Sequence, residues 1–283
     1  LDQLIGRALK RPVADEEVLT RAHLNCTVWA IVVARSRSSR LPGKALLDVG
    51  GMPALQHLLS RLQQARSLDR IVFCTTTLDE DAPLAQLAAN CGVAVHRGPV
   101  EDVLGRMVGA LAANEVDVVL RVTGDDILVD PEYIDRGLAH HLENNAEYSD
   151  LKALPSGTEV EFFDAQLLRR IHRLAADPAG TEYLTFYVTD HADQFRVSSI
   201  PVDARHARNW RLTLDTPEDY AVIRRFAGAM RDAGKALTYR LDDVIEFFTD
   251  HPEVLAINAG IRQRQAPPQV NTAIAWQRLL DNL

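Results

Sequence analysis

Four cations stand within ten residues, Arg35, Arg37, Arg40 and Lys44, and no acid interrupts them, although the whole chain carries a formal charge of −8. Between them lie Ser36, Ser38, Ser39 and the pair Pro42-Gly43, so the stretch reads as a loop rich in hydroxyl and backbone donors. Arginine offers planar, two-pronged contacts to phosphate, and lysine adds a mobile point charge. The chemistry expected of this loop is a grip on a polyphosphate. It is not a Walker A loop: Ser38 stands where the first glycine belongs, and Ala45 replaces the magnesium-binding Ser/Thr. Two carboxylate sites complement it, Thr123-Gly124-Asp125-Asp126 and Asp215 in Leu214-Asp215-Thr216-Pro217-Glu218-Asp219. Magnesium takes oxygen ligands, and one or two carboxylates plus phosphate oxygens make a normal site. Taken singly, Asp125 also suits a turn and Asp215 a helix start.

These residues need a scaffold that brings them together. Val28 to Val33 is an apolar run of strand length ending at the basic loop, and anions bind open α/β sheets at that end of a strand. A helix is expected from Pro53 to about Arg66, with Leu55, Leu58, Leu59 and Leu62 on one face. Strands at 71–74, 93–95 and 116–122 alternate with helices near 81–91 and 101–113. That order implies a largely parallel sheet with helices on both faces. The second half is more mixed. A helix is expected over 131–143, and strands near 147–153, 159–163, 195–200 and 210–214. Further helices are expected near 164–176, 181–190, 241–250 and 252–261, and one opens at Pro217 with Thr216 as its cap. Asp125 and Asp215 then both lie at strand ends, on one edge of the sheet.

The remaining composition narrows the class. With 47% hydrophobic and 25% charged residues the chain is ordinarily globular. A pI near 5.6 lacks the basic footprint of a nucleic-acid binder. No apolar run approaches the roughly 20 residues of a membrane span. The opening residues have neither block of a secretory signal, and Cys26, Cys74 and Cys91 have no metal spacing, which suits reduced thiols in a cytoplasm. Three segments are expected: a helical extension over 1–27, with a break at Pro12 and Asp15 as a cap, a main domain over 28–264, and a tail over 265–283 with a short helix around 273–280.

The order Arg35-x-x-Ser38-x-Arg40-Leu41-Pro42-Gly43-Lys44 resembles the signature loop of CTP-dependent sugar cytidylyltransferases. The best likeness is to the 3-deoxy-manno-octulosonate type and the spore-coat polysaccharide biosynthesis type. Arg97-Gly98, followed by Asp102-Val103-Leu104-Gly105-Arg106, resembles the spore-coat form of a segment near the base and ribose. Residues 121–131 resemble the family's Gly-Asp-x-Pro-Leu segment, with Ile127 where proline is common. Gly157-Thr158-Glu159-Val160-Glu161-Phe162-Phe163 resembles Gly-x-Asp-Val-Glu-Val-Phe. Thr181-Glu182-Tyr183-Leu184-Thr185-Phe186-Tyr187 resembles Arg-Glu-His-Val-Thr-Pro-Tyr, with tyrosine for histidine and phenylalanine for proline. Residues 244–264 resemble the spore-coat type's carboxyl end, so the likeness spans about 28–264.

The resemblance implies a three-layer αβα, Rossmann-like nucleotidyltransferase fold with a mostly parallel mixed sheet. It implies a cytoplasmic, homodimeric enzyme that moves CMP from CTP to a sugar acid or related acceptor and releases pyrophosphate, with Mg2+ held by Asp125 and Asp215. Arg40 and Lys44 would contact the triphosphate, and with Asp125 they form the expected catalytic set. Arg35, Ser36, Thr75, Thr76, Asp102 and Arg106 would complete the nucleotide site. Glu159, Glu161 and Tyr183 would face the acceptor, and the two glutamates are the candidates for general base. Two rivals remain on sequence alone: a glycosyltransferase using a nucleotide-sugar, and a nucleotide-binding domain without turnover. Pyrophosphate release separates the first, and the presence of Arg40, Lys44, Asp125 and Asp215 speaks against the second.

Overall fold

The computed structural model describes residues 17–112, 114–175 and 183–262, together with residues 9, 10, 13 and 181. Its centre is β1 (Val28–Val33), six apolar residues that are all buried. Val28, Ala30 and Val32 point into one core, while Trp29, Ile31 and Val33 point into another. That split follows from the two-residue period of a strand, and it requires helices on both faces.

The first core is closed by α1 (Ala54–Leu62), α2 (Ala82–Asn90), α4 (Pro131–Glu143), α7 (Pro217–Asp232) and α8 (Leu241–Asp250). Leu55, Leu58, Leu59 and Leu62 of α1 are completely buried, as their spacing requires, and each contributes about 1.5–3 kcal/mol of burial free energy. The second core is closed by α3 (Val103–Leu111), α5 (Ala165–Leu174) and α6 (Leu184–Thr189). The strands between the layers are β4 (Arg70–Thr76), β5 (Ala94–Gly98), β6 (Val118–Thr123), β7 (Tyr148–Asp150), β8 (Glu161–Asp164) and β9 (Val197–Ser199), in the order β5-β4-β1-β6-β8-β7-β9. Only β8 runs against its neighbours β6 and β7, so the sheet is mixed and mostly parallel, as expected. A small hairpin, β2 (Asp48–Val49) with β3 (Met52–Pro53), leads into α1, and the four-residue α9 (Pro252–Leu255) follows α8.

Two expectations are corrected. Residues 210–214 form no strand: Arg211 makes a single bridge to Ser156. The segment stays extended because it is bonded to turns instead of the sheet, Leu212 N to Ser156 O at 2.7 Å and Leu214 N to Asp125 O at 2.9 Å. Gly157 permits the crossing, since a Cβ there would stand 2.2 Å from the Leu212 carbonyl oxygen. The second correction concerns residues 17–24, where only a single 3-10 turn, Arg21–His23, replaces the expected helix. Arg21 is committed elsewhere, donating to buried Asp164 at 2.8 Å and to the Asp117 carbonyl at 3.2 Å. Most of the expected first helix, and the whole tail over 265–283 with its short helix, lie outside the described residues.

Candidate active site

The basic loop leaves β1 beside the turn that follows β6. The two turns touch so closely that a Cβ on Gly124 would lie 2.5 Å from that of Ala34. The base of the loop is pinned by Asp81, which is 1% exposed and accepts from Ser36 N at 2.6 Å and from the Thr76 hydroxyl. The Ser36 hydroxyl donates to Glu80 O at 2.8 Å. At the far end Gly43 takes a left-handed φ of 67°, and a 3-10 turn, Lys44–Leu46, swings Lys44 inward.

Lys44 Nζ lies 2.9 Å from Asp125 Oδ2 and 2.7 Å from Asp215 Oδ1, and Arg40 reaches the other oxygen of Asp215 at 2.8 Å. Residues 81 and 171 positions apart from Lys44 therefore meet on one ammonium. Burial works against the charge on Lys44, but the two carboxylates outweigh it and hold the ammonium above its ordinary pKa. Burial likewise opposes the charge on Asp215, yet Lys44 and Arg40 bring its carboxyl down to about 2. Arg211 secures the same corner, 3.5 Å from Asp215 and 2.8 Å from fully buried Asp219.

Around this centre lies a cavity of about 850 Å³ lined by Arg35, Ser36, Arg40, Lys44, Arg106, Asp125 and Asp215, among others. Arg106 is only 2% exposed; its Nη1 donates to Pro99 O at 3.1 Å, while its Nε has no hydrogen-bond partner among the described residues. Burial holds its pKa below the usual arginine value. Arg37 also stands at this cavity, but at its rim: its side chain is 73% exposed and pairs with Glu80. Thr75, Thr76 and Asp102 are not among the residues lining this cavity. Both threonines are fully buried, and the Asp102 carboxylate caps α3 through Gly105 N at 2.7 Å. Asp102 also receives the Thr181 hydroxyl at 3.0 Å and lies 3.1 Å from His172 Nε2, so it ties α3 to α5.

A second cavity, about 330 Å³, adjoins the first and shares Arg121, Thr123, Asp125, Tyr183 and Asp215 with it. Glu159, Glu161 and Tyr183 line it. The two glutamates differ. Glu161 is paired with Arg121 and accepts from Tyr148 Oη at 2.7 Å and Thr185 Oγ1 at 2.6 Å. Burial alone would raise its pKa, but Arg121 and these hydroxyls bring it below the ordinary value. Glu159 accepts no such hydrogen bonds among the described residues, and burial, followed by the charge of Glu161, pushes it up to about 7 against the opposing pull of Lys152. Asp126, bonded by the Thr123 hydroxyl, is raised well above its ordinary value by burial, Asp125 and Glu159. Sequence reasoning gave no role to Asp81 or Arg121. An arginine inside an apolar strand was a signal for Arg121; Asp81, third in an acidic run, offered none.

The donor set suits magnesium. Asp125 and Asp215 supply hard oxygens close enough to share one cation, and substrate phosphates would complete the shell. Among the described residues no group of three or more His, Cys, Asp or Glu forms a self-sufficient metal cage.

The family profile described as cytidylyltransferase matches residues 29–244. The chain belongs to the cytidylyltransferase family. It is therefore a nucleotidyltransferase enzyme, and the sheet and cavities above are those of a member of that family. Its sequence is 31% identical over 229 residues to the spore coat polysaccharide biosynthesis protein SpsF of Bacillus subtilis, covering 79% of this chain and 94% of that protein. It is 32% identical over 121 residues to the 3-deoxy-manno-octulosonate cytidylyltransferase of Geobacter sulfurreducens, 42% of this chain and 47% of that one. Among solved structures, a cytidylyltransferase from Leptospira borgpetersenii superposes with a TM-score of 0.75 at 25% identity, covering 86% of this chain and all of that one. No helix among the described residues is long and apolar enough to cross a membrane.

Proposed function

We propose that this cytidylyltransferase-family enzyme transfers CMP from CTP to a hydroxyl of a small acceptor, a sugar acid or a related compound, and releases pyrophosphate. One observation carries the reading: the basic loop and two distant carboxylates converge on Lys44 where two cavities meet. The larger cavity, with Arg35, Arg40, Lys44 and Arg106, suits the nucleotide, and the smaller suits the acceptor. An acceptor hydroxyl would then reach the α-phosphate at the junction, in line with the departing pyrophosphate. Such a transfer needs positioning and charge neutralisation more than a covalent nucleophile. Arg40 and Lys44 neutralise the triphosphate and the charge that grows on the leaving group. Arg106, whose buried Nε has no hydrogen-bond partner among the described residues, lines the larger cavity and would offer the nucleotide a donor. Asp125 and Asp215 are the residues that would hold magnesium, which when bound supplies Lewis-acid charge to phosphate oxygens. Of the two glutamates, Glu161 is saturated by its donors and serves to orient, leaving Glu159 as the base for the acceptor proton.

The test is pyrophosphate release from each of CTP, UTP, ATP and GTP, with magnesium and an acceptor panel. CTP is expected to be preferred, and Asp125→Asn or Asp215→Asn to lower its turnover by at least about a hundredfold with unchanged melting. Equal use of all four nucleotides, or no release from CTP, would overturn the assignment.

A further inference from the structure

An arginine at the junction of the two cavities has donors to spare, and what they take deepens the cytidylyl-transfer reading above, on which this step rests. Arg121 lies on β6 ahead of Thr123 and Asp125, and it lines both cavities. Its side chain is 12% exposed, and its Nη1 meets Glu161. That carboxylate is steadied in turn by Tyr148 Oη at 2.7 Å and Thr185 Oγ1 at 2.6 Å. The buried Nε of Arg121 has no hydrogen-bond partner among the described residues, and Nη2 makes no hydrogen bond to them either. Nε and Nη2 form one planar edge of the guanidinium, a fork that matches the two oxygens of a carboxylate. A charged donor left unsatisfied in a buried place is costly, so satisfying this edge falls to the occupant of the cavity.

The surroundings decide which occupant. Glu161 and Thr185, which hold the guanidinium, line the smaller cavity and not the larger. The larger cavity has Arg35, Arg40, Lys44 and Arg106 for the phosphates. Among the described residues lining the smaller one, the other base is Lys152, half exposed and 3.9 Å from Asp150. Glu159 and Asp126 stand on the same wall, so an anionic group is accommodated where a guanidinium offsets them. That place is Arg121. A lysine there would give a point charge, whereas the arginine adds direction.

We propose that Arg121 selects the acceptor: its Nε–Nη2 edge takes an acceptor carboxylate in a two-pronged pair, and Glu161, steadied by Tyr148 and Thr185, is the positioning residue that keeps this edge turned to the smaller cavity. The ion pair of Arg121 and Glu161 is thus half of a three-member bridge that the acceptor completes.

The experiment titrates two probes on one ring scaffold, glucuronate and glucose, into the full chain by ligand-observed NMR. CTP is present at saturation and the metal is chelated, so that the larger cavity is filled and no transfer occurs. Glucuronate is expected to bind at least about tenfold more tightly than glucose, and Arg121→Gln to reduce that preference below about threefold. Arg121→Lys, which keeps the charge opposite Glu161 and loses the fork, should fall between the two. Thr185→Val, which removes one donor to Glu161, should lower the preference at least about twofold. Melting curves show which variants are folded, and a purely structural ion pair would move melting while leaving the preference of a folded variant unchanged. No preference for glucuronate in the parent chain, or a parent-like preference in every folded variant, would overturn the proposal. Calorimetric binding of CTP with magnesium is read separately on the parent chain. Failure there sinks the cytidylyl-transfer reading, whereas CTP binding without a carboxylate preference sinks only the role given to Arg121.

Discussion

At the scale of single residues, equal charges have unequal work. All three cations line the cavity, but Arg40 and Lys44 are tied to the carboxylates at its centre, whereas the Arg37 side chain is 73% exposed and paired with Glu80. Losing a charge-assisted phosphate contact costs about 1.5–3 kcal/mol, and losing a solvated charge about 0.5 kcal/mol or less. Arg40→Ala and Lys44→Ala are expected to lower kcat/KM for CTP at least about tenfold, and Arg37→Ala to stay within a few-fold of the parent. Steady-state kinetics on the three variants checks this, and three equal small losses would mean that the loop acts only as a diffuse field. Glu159 gives a second prediction. Its folded pKa of about 7 exceeds the ordinary 4.5, so the folded state binds the extra proton between those values. Stability should therefore fall as pH rises from about 4.5 to 7, and Glu159→Gln should flatten that fall. Tm measured across this window decides it; parallel curves for both proteins would refute the assignment. The basic loop and both carboxylates were legible because their residue types stand in a characteristic order. Asp81 was not, because a buried anchor and a surface acid look alike until the chain folds over one of them.

At the scale of elements, the boundaries that sequence places well are those with strong local chemistry. Helices α4 and α8 begin and end at the expected residues, and Thr216 caps α7 with a reciprocal bond to Asp219. Residues 210–214 have the alternation of a strand, yet the partner that decides their fate is Gly157, some fifty residues earlier. Asp130 shows how far a cap can reach. One of its oxygens accepts from Glu132 N and Tyr133 N at the start of α4, and the other from Leu241 N at the start of α8, all at 2.8–3.0 Å. Both helices close the same core, and Asp130 is 2% exposed. Asp130→Ala should therefore cost more than the ~1 kcal/mol of one cap, about 2–4 kcal/mol in all, read by denaturant unfolding. A loss below 1 kcal/mol would show that the two helix starts are held by packing alone.

At the scale of the molecule, the parallel half of the sheet could be read from sequence because its strands alternate regularly with helices and its central ones, β1, β4 and β6, are largely apolar. The order β8-β7-β9 could not, since those strands have only three or four residues and their sequence order is not their spatial order. What that sheet assembles is a centre whose charges already satisfy one another: Lys44 and Arg40 are held by Asp125 and Asp215. In the language of linkage, the carboxylates are competitive occupants of the cations that a nucleotide needs. A bare polyphosphate must displace them and leave two acids stranded, so nucleotide and divalent ion should each strengthen the binding of the other by the same factor. The same competition has a counterintuitive outcome. Asp215→Asn, a change that should end turnover, should bind metal-free CTP at least about threefold more tightly than the parent chain. Calorimetry in the presence of a chelator measures it directly, and weaker binding by the variant would mean that the carboxylate preorganises the loop more than it competes for it.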